Sequence, residues 1–442
     1  MTKVSPRKST VLKDKLIMLA ENQPQSWGQV GNNARPNLHG LLRYPAMMVP
    51  KMQGDIIDTL LSTVASDSHI IDPFVGSGTI MTEALIRGLN FTGVDINPLA
   101  ALVCNAKLAI DSGADVEQAS NNALKAFLSD TSTAIDADYP NRDKWFSDEN
   151  AIIFSRVRRA IIATPGHGER SVLWAVFAEL VRLCSNSRTT TYKLHIRKPE
   201  DIVNKEKIVS TLKVLLKDTL SRIAEYRSIV EISEHARPVA NIICGDIRTA
   251  NLRYSNKNHK ILVTSPPYGD NQTTIPYGQF SFLALRWIPN ADLPEGWNPS
   301  ILSNTCSIDS ASLGGSLIDA AFKQDQMLGI SPSFERFVKE AAAAKKTKEI
   351  RKVSSFIFDF HQALTHIKSG TNSSSHWVLT TGNRTVAGLV VPFNDICKDI
   401  VNSLHGECIT SIERDLPTKR MPSRNSQGAM ITTETTMIAE FS

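Results

Sequence analysis

Apolar positions along the chain fall into two alternating patterns, and their order sets out a sheet. GDIIDTLLSTVA (54–65) has helical spacing. In SHIIDPFVGSGT (68–79) a short apolar run closes in Asp-Pro and a glycine turn, which reads as a buried strand ending in a tight loop. TIMTEALIRGL (79–89) returns to helical spacing, and FTGVDINP (91–98) reads as a second short strand. Strand, glycine loop, helix and strand in that order open a doubly wound α/β sheet.

From about Leu99 to Ala240 the pattern is mostly helical. SVLWAVFAELVRLC (171–184) is apolar nearly all round and predicts a buried helix, whereas residues 206–230 predict a long amphipathic one. Strand-like text resumes in ANIICGDIR (240–248) and HKILVTSPPY (259–268). Residues 290–350 are less regular, with Gly-Ser turns running into the strong helix former EAAAAKKTKEIRK (340–352). A long helix, SSFIFDFHQALTHIKS (354–369), precedes a strand in HWVLTTGN (376–383). The end reads helix (393–404), strand (408–416), basic loop (417–428) and strand (429–441). There is no internal repeat and no low-complexity tract.

The 442 residues are 42% hydrophobic and 21% charged, the balance of a soluble protein with a substantial core. The net charge of +5 permits a polyanionic partner without demanding one. It is unevenly spread. Residues 1–43 carry seven Lys/Arg against two acids, and residues 186–227 carry ten against five. Either stretch suits a solvated face as well as nucleic-acid contact. The six cysteines are scattered with no C-x-x-C pair, which argues against a zinc ribbon or a disulfide framework and suits a reducing compartment. The start is polar and basic, and no apolar stretch approaches about 18 residues, so a soluble, cytoplasmic protein without a membrane partner is expected.

The first candidate chemistry lies in Asp72-Pro-Phe-Val-Gly-Ser-Gly-Thr79. Gly76 and Gly78 let the backbone turn sharply and approach a ligand where a Cβ would collide. Asp95 follows Gly78 by 17 positions at the end of the next strand, where a carboxylate accepts hydrogen bonds from ribose hydroxyls. The third glycine of a dinucleotide fingerprint and the Gly-Lys-Ser/Thr of a phosphate loop are both missing, so NAD and ATP are poorly supported. The second candidate is Ser265-Pro266-Pro267-Tyr268, at the end of the strand-like KILV. An exocyclic amine on a base is a poor nucleophile, because its lone pair is delocalised into the ring. Accepting its two hydrogens through the Ser265 hydroxyl and the Pro266 carbonyl would free that lone pair for in-line attack. Two prolines stiffen the loop, and Tyr268 offers a flat face to a base swung out of its helix.

DPFVGSGT followed by GVDINP resembles the S-adenosylmethionine motifs of amino-group DNA methyltransferases, and S-P-P-Y resembles the catalytic motif of their cytosine-N4 members. Related adenine-N6 enzymes usually have Asp or Asn where Ser265 stands. The resemblance covers residues 41–110 and 240–290 well and 375–442 more loosely. It implies a methyltransferase catalytic domain of residues 41–110 and 240–442, preceded by a basic segment (1–40). The helical insertion (111–239) departs from the compact versions of that fold, and target recognition is open between it, residues 290–350 and the loop with Lys419, Arg420 and Arg424. S-adenosylmethionine is the implied cofactor. Tyr44 and Pro45, in RYPAMMVP, would close over its methionine end, with Asp72, the Phe74–Gly78 loop and Thr79 holding that part. Asp95 would meet the ribose and Asp246 the adenine amino group, with Asn97 also among the cofactor-binding residues.

The implied partner is DNA, with a cognate restriction endonuclease expected beside it. Lys419, Arg420 and Arg424 are candidates for phosphate contact, though a solvated hairpin explains them equally. An adenine-N6 product, an RNA base-amine substrate and a catalytically inactive binding subunit stay open as alternatives. A cytosine-C5 route is disfavoured, since no cysteine here follows a proline. Tyr277, Phe280 and Trp287 either line a base pocket or pack a helix core. His361, His366 and His376 lack a visible partner set, so no metal site is expected.

Overall fold

The computed structural model describes residues 8–22, 27, 35–233, 238–252, 258–268, 275–371, 374–416 and 432–442. Nine strands are assigned among them: β1 (His69–Asp72), β2 (Asn90–Asp95), β3 (Ala240–Cys244), β4 (Lys260–Thr264), β5 (Ser375–Thr381), β6 (Arg384–Val386), β7 (Leu389–Val391), β8 (Glu407–Asp415) and β9 (Thr433–Phe441). Seven form one sheet in the order β3-β2-β1-β4-β5-β9-β8, while β6 and β7 make a small separate hairpin. β1 to β5 run parallel, and β9 is antiparallel to both β5 and β8. This is the doubly wound α/β sheet that the hydrophobic pattern predicts.

β1, β4 and β5 are buried at every position, as parallel strands covered on both faces must be. Alternate residues separate the two faces. Ile70, Ile261, Val263, Val378 and Ile438 pack under helices Pro50–Leu61 and Thr79–Ile86. Ile71, Leu262, Trp377, Leu379 and Met437 pack on the other face against helices Thr347–Gly370 and Phe393–Ser403. From β1 the chain steps to β2 and β3 on one side, while β4 and β5 lie on the other. The winding therefore reverses between β1 and β4, and the carboxyl ends of those strands open a crevice there.

The basic lead-in is partly a core element: helix Lys8–Glu21 buries Leu12 and Leu16 in the same cluster as Trp27, Ile56 and Ile412. The insertion is helical as expected, with long helices Val116–Ser129, Asp148–Ile162, His167–Cys184 and Lys205–Ser233. It has no separate core. Trp174, Phe177 and Phe154 join one cluster with Leu99 and Val103 of helix Pro98–Asp111 and with Trp287.

One expectation fails locally. EAAAAKKTKEIRK is not a single helix, because Pro332–Ala343 ends and Thr347–Gly370 begins within it. Lys345 takes a left-handed φ of 57°, and Lys346 N–H reaches back to the Ala341 carbonyl, a helix stop usually made with glycine. Phe334, Phe337 and Ala341 on one side and Val353, Phe356 and Ile357 on the other must meet in one core, and that packing overrides helix propensity.

Candidate active site

An open cleft lies at the carboxyl ends of β1 to β4. Of the residues singled out by sequence, its wall contains Tyr44, Pro45, Phe74, Gly76, Thr79, Asp95, Asn97, Asp246, Ser265 and Pro267. Segments more than 200 residues apart in sequence thus converge on one cavity.

The glycine loop owes its shape to two left-handed residues, Gly76 (φ 52°) and Gly78 (φ 77°). A Cβ at Gly76 would stand 3.5 Å from the Tyr44 ring, on the cleft side of the loop. Helix Pro98–Asp111 braces the loop from behind. The Cys104 thiol donates to the Gly76 carbonyl at 3.4 Å, and Lys107 Nζ donates to the Gly78 carbonyl at 3.3 Å. Burial lowers the Lys107 amine to about 8.

Asp95 is fixed by backbone. Its Oδ2 accepts from Gly76 N–H at 2.9 Å and its Oδ1 from Asn97 N–H at 2.8 Å. Burial nevertheless pushes its carboxyl up to about 6. Asn97 caps helix Pro98–Asp111 through Leu99 N–H, and its amide donates to the Tyr44 hydroxyl at 2.9 Å and to Ser281 Oγ at 2.7 Å. Tyr44 in turn stacks on Tyr277 at 5.8 Å and meets Phe280 edge-on at 5.4 Å. Asn97 is therefore a brace for the aromatic wall more than a ligand-facing group. Tyr277 does line the cleft, Phe280 supports it, and Trp287 is core, buried among Phe146, Phe154 and Phe177.

Asp72, expected at the methionine end, lies beneath the wall and is fully buried. Its Oδ1 accepts from Thr264 Oγ1 at 2.7 Å and from Phe74 N–H at 3.1 Å, tying β1 to β4 immediately before the Ser-Pro-Pro-Tyr loop. Its Oδ2 has no hydrogen-bond partner among the described residues. Burial drives the Asp72 carboxyl up to about 7. Asp246 reaches the wall, but its carboxylate grips Arg248 at 2.6 Å, and Arg248 continues to Asp359 at 3.1 Å.

Ser265 is on the wall, Pro266 is buried behind it, and Gly78 turns the loop from below. Tyr268 is not part of the wall. Its hydroxyl lies 3.1 Å from Ser265 Oγ and donates to Glu434 Oε1 at 3.2 Å, and its ring packs on the cluster of the second sheet face. The aromatic rings on the wall are Phe74, Tyr44 and Tyr277.

Sequence reasoning missed Asp309. It comes from the irregular 290–350 stretch, lines the cleft, and accepts from Gly278 N–H at 3.2 Å at the start of helix Tyr277–Leu285. Burial raises its carboxyl to about 6. No local motif marks it, since its partner is 31 residues earlier. Lys419, Arg420 and Arg424, like Asn271 after the Ser-Pro-Pro-Tyr motif, lie outside the described residues.

The wall suits S-adenosylmethionine. It combines glycines that admit a close ligand, aromatic faces, and carboxyls whose burial cost a cationic ligand would offset. S-adenosylmethionine supplies, when bound, an electrophilic methyl group on a sulfonium.

No family model matches the chain. Over 428 residues it is 26% identical to the Type II methyltransferase M.MvaI of Kocuria varians, covering 93% of this chain and 91% of that protein. A 72-residue stretch, 16% of the chain, is 31% identical to the Type II methyltransferase M.MjaII of Methanocaldococcus jannaschii, of which it covers 13%. A 66-residue stretch, 15% of the chain, is 38% identical to the tRNA (guanine(10)-N2)-dimethyltransferase of Methanothermobacter thermautotrophicus, of which it covers 19%. The first likeness runs over nearly the whole of both chains, whereas the two short ones each cover about a sixth of this chain. No helix among the described residues is long and apolar enough to cross a membrane.

Proposed function

We propose that this protein is an S-adenosylmethionine-dependent DNA methyltransferase whose product is N4-methylcytosine. The observation that carries the reading is the convergence of the Gly76–Gly78 loop, Asp95 and Ser265 on one cleft at the reversal of the sheet. In this reading the loop and Asp95 hold the cofactor, Asp95 by accepting from its ribose hydroxyls, and Asp72 braces the loop from below by tying β1 to β4. Ser265 Oγ and the Pro266 carbonyl accept the two hydrogens of the target amine. The nitrogen's lone pair is then free to attack along the line of the methyl group.

DNA is favoured over RNA by the full-length likeness to a Type II methyltransferase, set against a 66-residue likeness to a tRNA enzyme. A basic hairpin beside the cleft fits a duplex. Ser187 bridges Ile196, and Arg188, Lys193, His195 and Lys198 between and after them are exposed. Its Tyr192 packs edge-on against Phe280 at 6.0 Å, and Leu194 N–H donates to Gln279 at 3.0 Å, so it abuts the helix that supports Tyr44. Phosphate contact there would hold the duplex over the mouth of the cleft. A restriction endonuclease acting on the same site is the corresponding partner.

The test is incubation with methyl-labelled cofactor and either duplex DNA or RNA, followed by digestion to nucleosides. Label in N4-methylcytosine is expected. Label in N6-methyladenine would overturn the base assignment alone, label in RNA the substrate, and label in 5-methylcytosine the mechanism as well.

A further inference from the structure

Serine is a weaker acceptor than a carboxylate, and unlike a carboxylate it also carries a hydrogen that can point the wrong way. An amine N–H can be accepted by Ser265 only if the serine's own hydrogen is committed elsewhere. The structure contains a chain of groups that commits it.

Glu434, on β9, offers only acceptors as a carboxylate. Its Oε2 is paired with Arg414 Nη2, and Arg414 is its direct cross-strand neighbour on β8. Arg414 is itself held by the Trp27 carbonyl at 3.2 Å. The Tyr268 hydroxyl must therefore donate to Glu434 Oε1, at 3.2 Å. Having spent its one hydrogen, the tyrosine oxygen can only accept from Ser265 Oγ, 3.1 Å away. Ser265 is then left with lone pairs alone towards the cleft that it lines.

We infer that Glu434 is a positioning residue which, through the Tyr268 hydroxyl, orients the Ser265 hydroxyl as an obligate acceptor for the target amine. The inference rests on reading the cleft as an amino-methyl transfer site, and it adds a residue that no local motif contains. It assigns the tyrosine two separable tasks: the ring packs on the core of the second sheet face, and the hydroxyl fixes the serine. It also gives a reason for a serine to serve where related enzymes place Asp or Asn, since the carboxylate that sets the polarity sits two links away.

The test is a double-mutant cycle on the full chain, read by single-turnover methyl transfer to duplex DNA. Glu434→Gln keeps the shape of the side chain but introduces a donor, and Tyr268→Phe removes the hydroxyl while sparing the packed ring. Each single variant is expected to slow transfer about tenfold or more, with cofactor and DNA affinity within about twofold of wild type. The double variant should be no slower than Tyr268→Phe by more than about twofold, because both changes break one chain. Additive losses, or a full rate in either single variant, would overturn the inference. So would a Glu434→Gln protein whose cofactor affinity and thermal midpoint fall together with its rate, the mark of a merely structural residue. If Glu434→Gln does not fold, Tyr268→Phe against Ser265→Ala in the same cycle carries the decision on the hydroxyl link. A wild-type protein that transfers no methyl to DNA would sink the proposed function itself, a result distinct from any of these.

Discussion

At the β1–β2 end of the cleft, geometry is made by main chain; at the β4 end, it is made by side chains brought from far away. Asp95 is held by the N–H groups of Gly76 and Asn97, and the loop that contacts it turns on two glycines. Ser265 instead depends on Tyr268, Glu434 and Arg414, and the wall opposite includes Asp309. A main-chain site tolerates little variation in its local sequence and so leaves a readable motif. A side-chain site can be assembled from any residues that the fold brings together. The β1–β2 end is thus built locally, whereas the β4 end is assembled from distant parts of the chain.

The largest effect expected from this contrast falls on turnover at the β4 end. Ser265→Ala and Tyr268→Ala should each lower single-turnover methyl transfer by about 100-fold, the usual loss when one preset polar partner of a reacting group is removed. Calorimetric affinity for S-adenosylmethionine should stay near wild type in both, because neither residue belongs to the main-chain end. A parallel collapse of cofactor affinity would erase the distinction between the two ends.

The same contrast explains what was legible in the sequence. The strand order around Asp72–Thr79, Asp95 and Ser265 followed from short apolar runs punctuated by glycine and proline, and all of these except Asp72 and Gly78 reach the cleft wall. A motif gives neighbourhood and not depth: only the fold reveals that Asp72 is fully buried beneath the wall, with Thr264 as its partner 192 residues on. Asp309 and Glu434 were invisible for a related reason. Each is an ordinary acid in unremarked text, and the tertiary contact gives it its role. The stop at Lys345 was hidden by strong local propensity, which core packing overrode.

Next in size is the β1–β2 end, where the proposed function puts the cofactor. Asp95→Ala should weaken S-adenosylmethionine binding by about 1.5–3 kcal/mol, the range for losing hydrogen bonds to a charged acceptor. Because burial holds the Asp95 carboxyl at about 6, wild-type affinity should also fall as pH drops below that value, when the acceptor becomes neutral. The slope should not exceed about tenfold per pH unit for one proton. Calorimetry from pH 5 to 8 measures both, and an Asp95→Ala protein that keeps the wild-type pH dependence would remove Asp95 from the explanation.

Where the two ends meet, Thr264→Val should cost about 1–3 kcal/mol of folding stability, since it leaves the buried Asp72 Oδ1 with Phe74 N–H alone. The sign of its pH dependence is set by the raised Asp72 carboxyl. Burial lifts it to about 7, so its contribution to stability is full below the unfolded-state value of about 4 and is lost as pH rises through 7. The threonine hydroxyl favours the charged form, so the variant's deficit should be larger at pH 8 than at pH 5. Urea unfolding at the two pH values checks this; an equal deficit at both would show that the threonine does not act through the carboxylate.

The smallest effect tests whether the distributed end extends onto the surface. Arg188, Lys193 and Lys198 are exposed, and the hairpin bearing them is anchored by Arg197, whose guanidinium donates to the carbonyls of Leu183, Ser185 and Ser187. The hairpin backbone also meets helix Tyr277–Leu285 through Leu194 N–H and Tyr192, so it is seated beside the cleft's aromatic wall. Each phosphate contact contributes a slope of about 0.9 to the fall of log affinity with log salt, and it does so alike for every sequence. Replacing the three residues by Ala should therefore flatten that slope by up to about 2.7 and raise the DNA KM without altering cofactor affinity. Target and unrelated duplexes should weaken in proportion, because phosphate contacts position the duplex and base contacts specify it. A loss confined to the target sequence would instead make the hairpin a base reader, and an unchanged salt slope would move the DNA to another face of the protein.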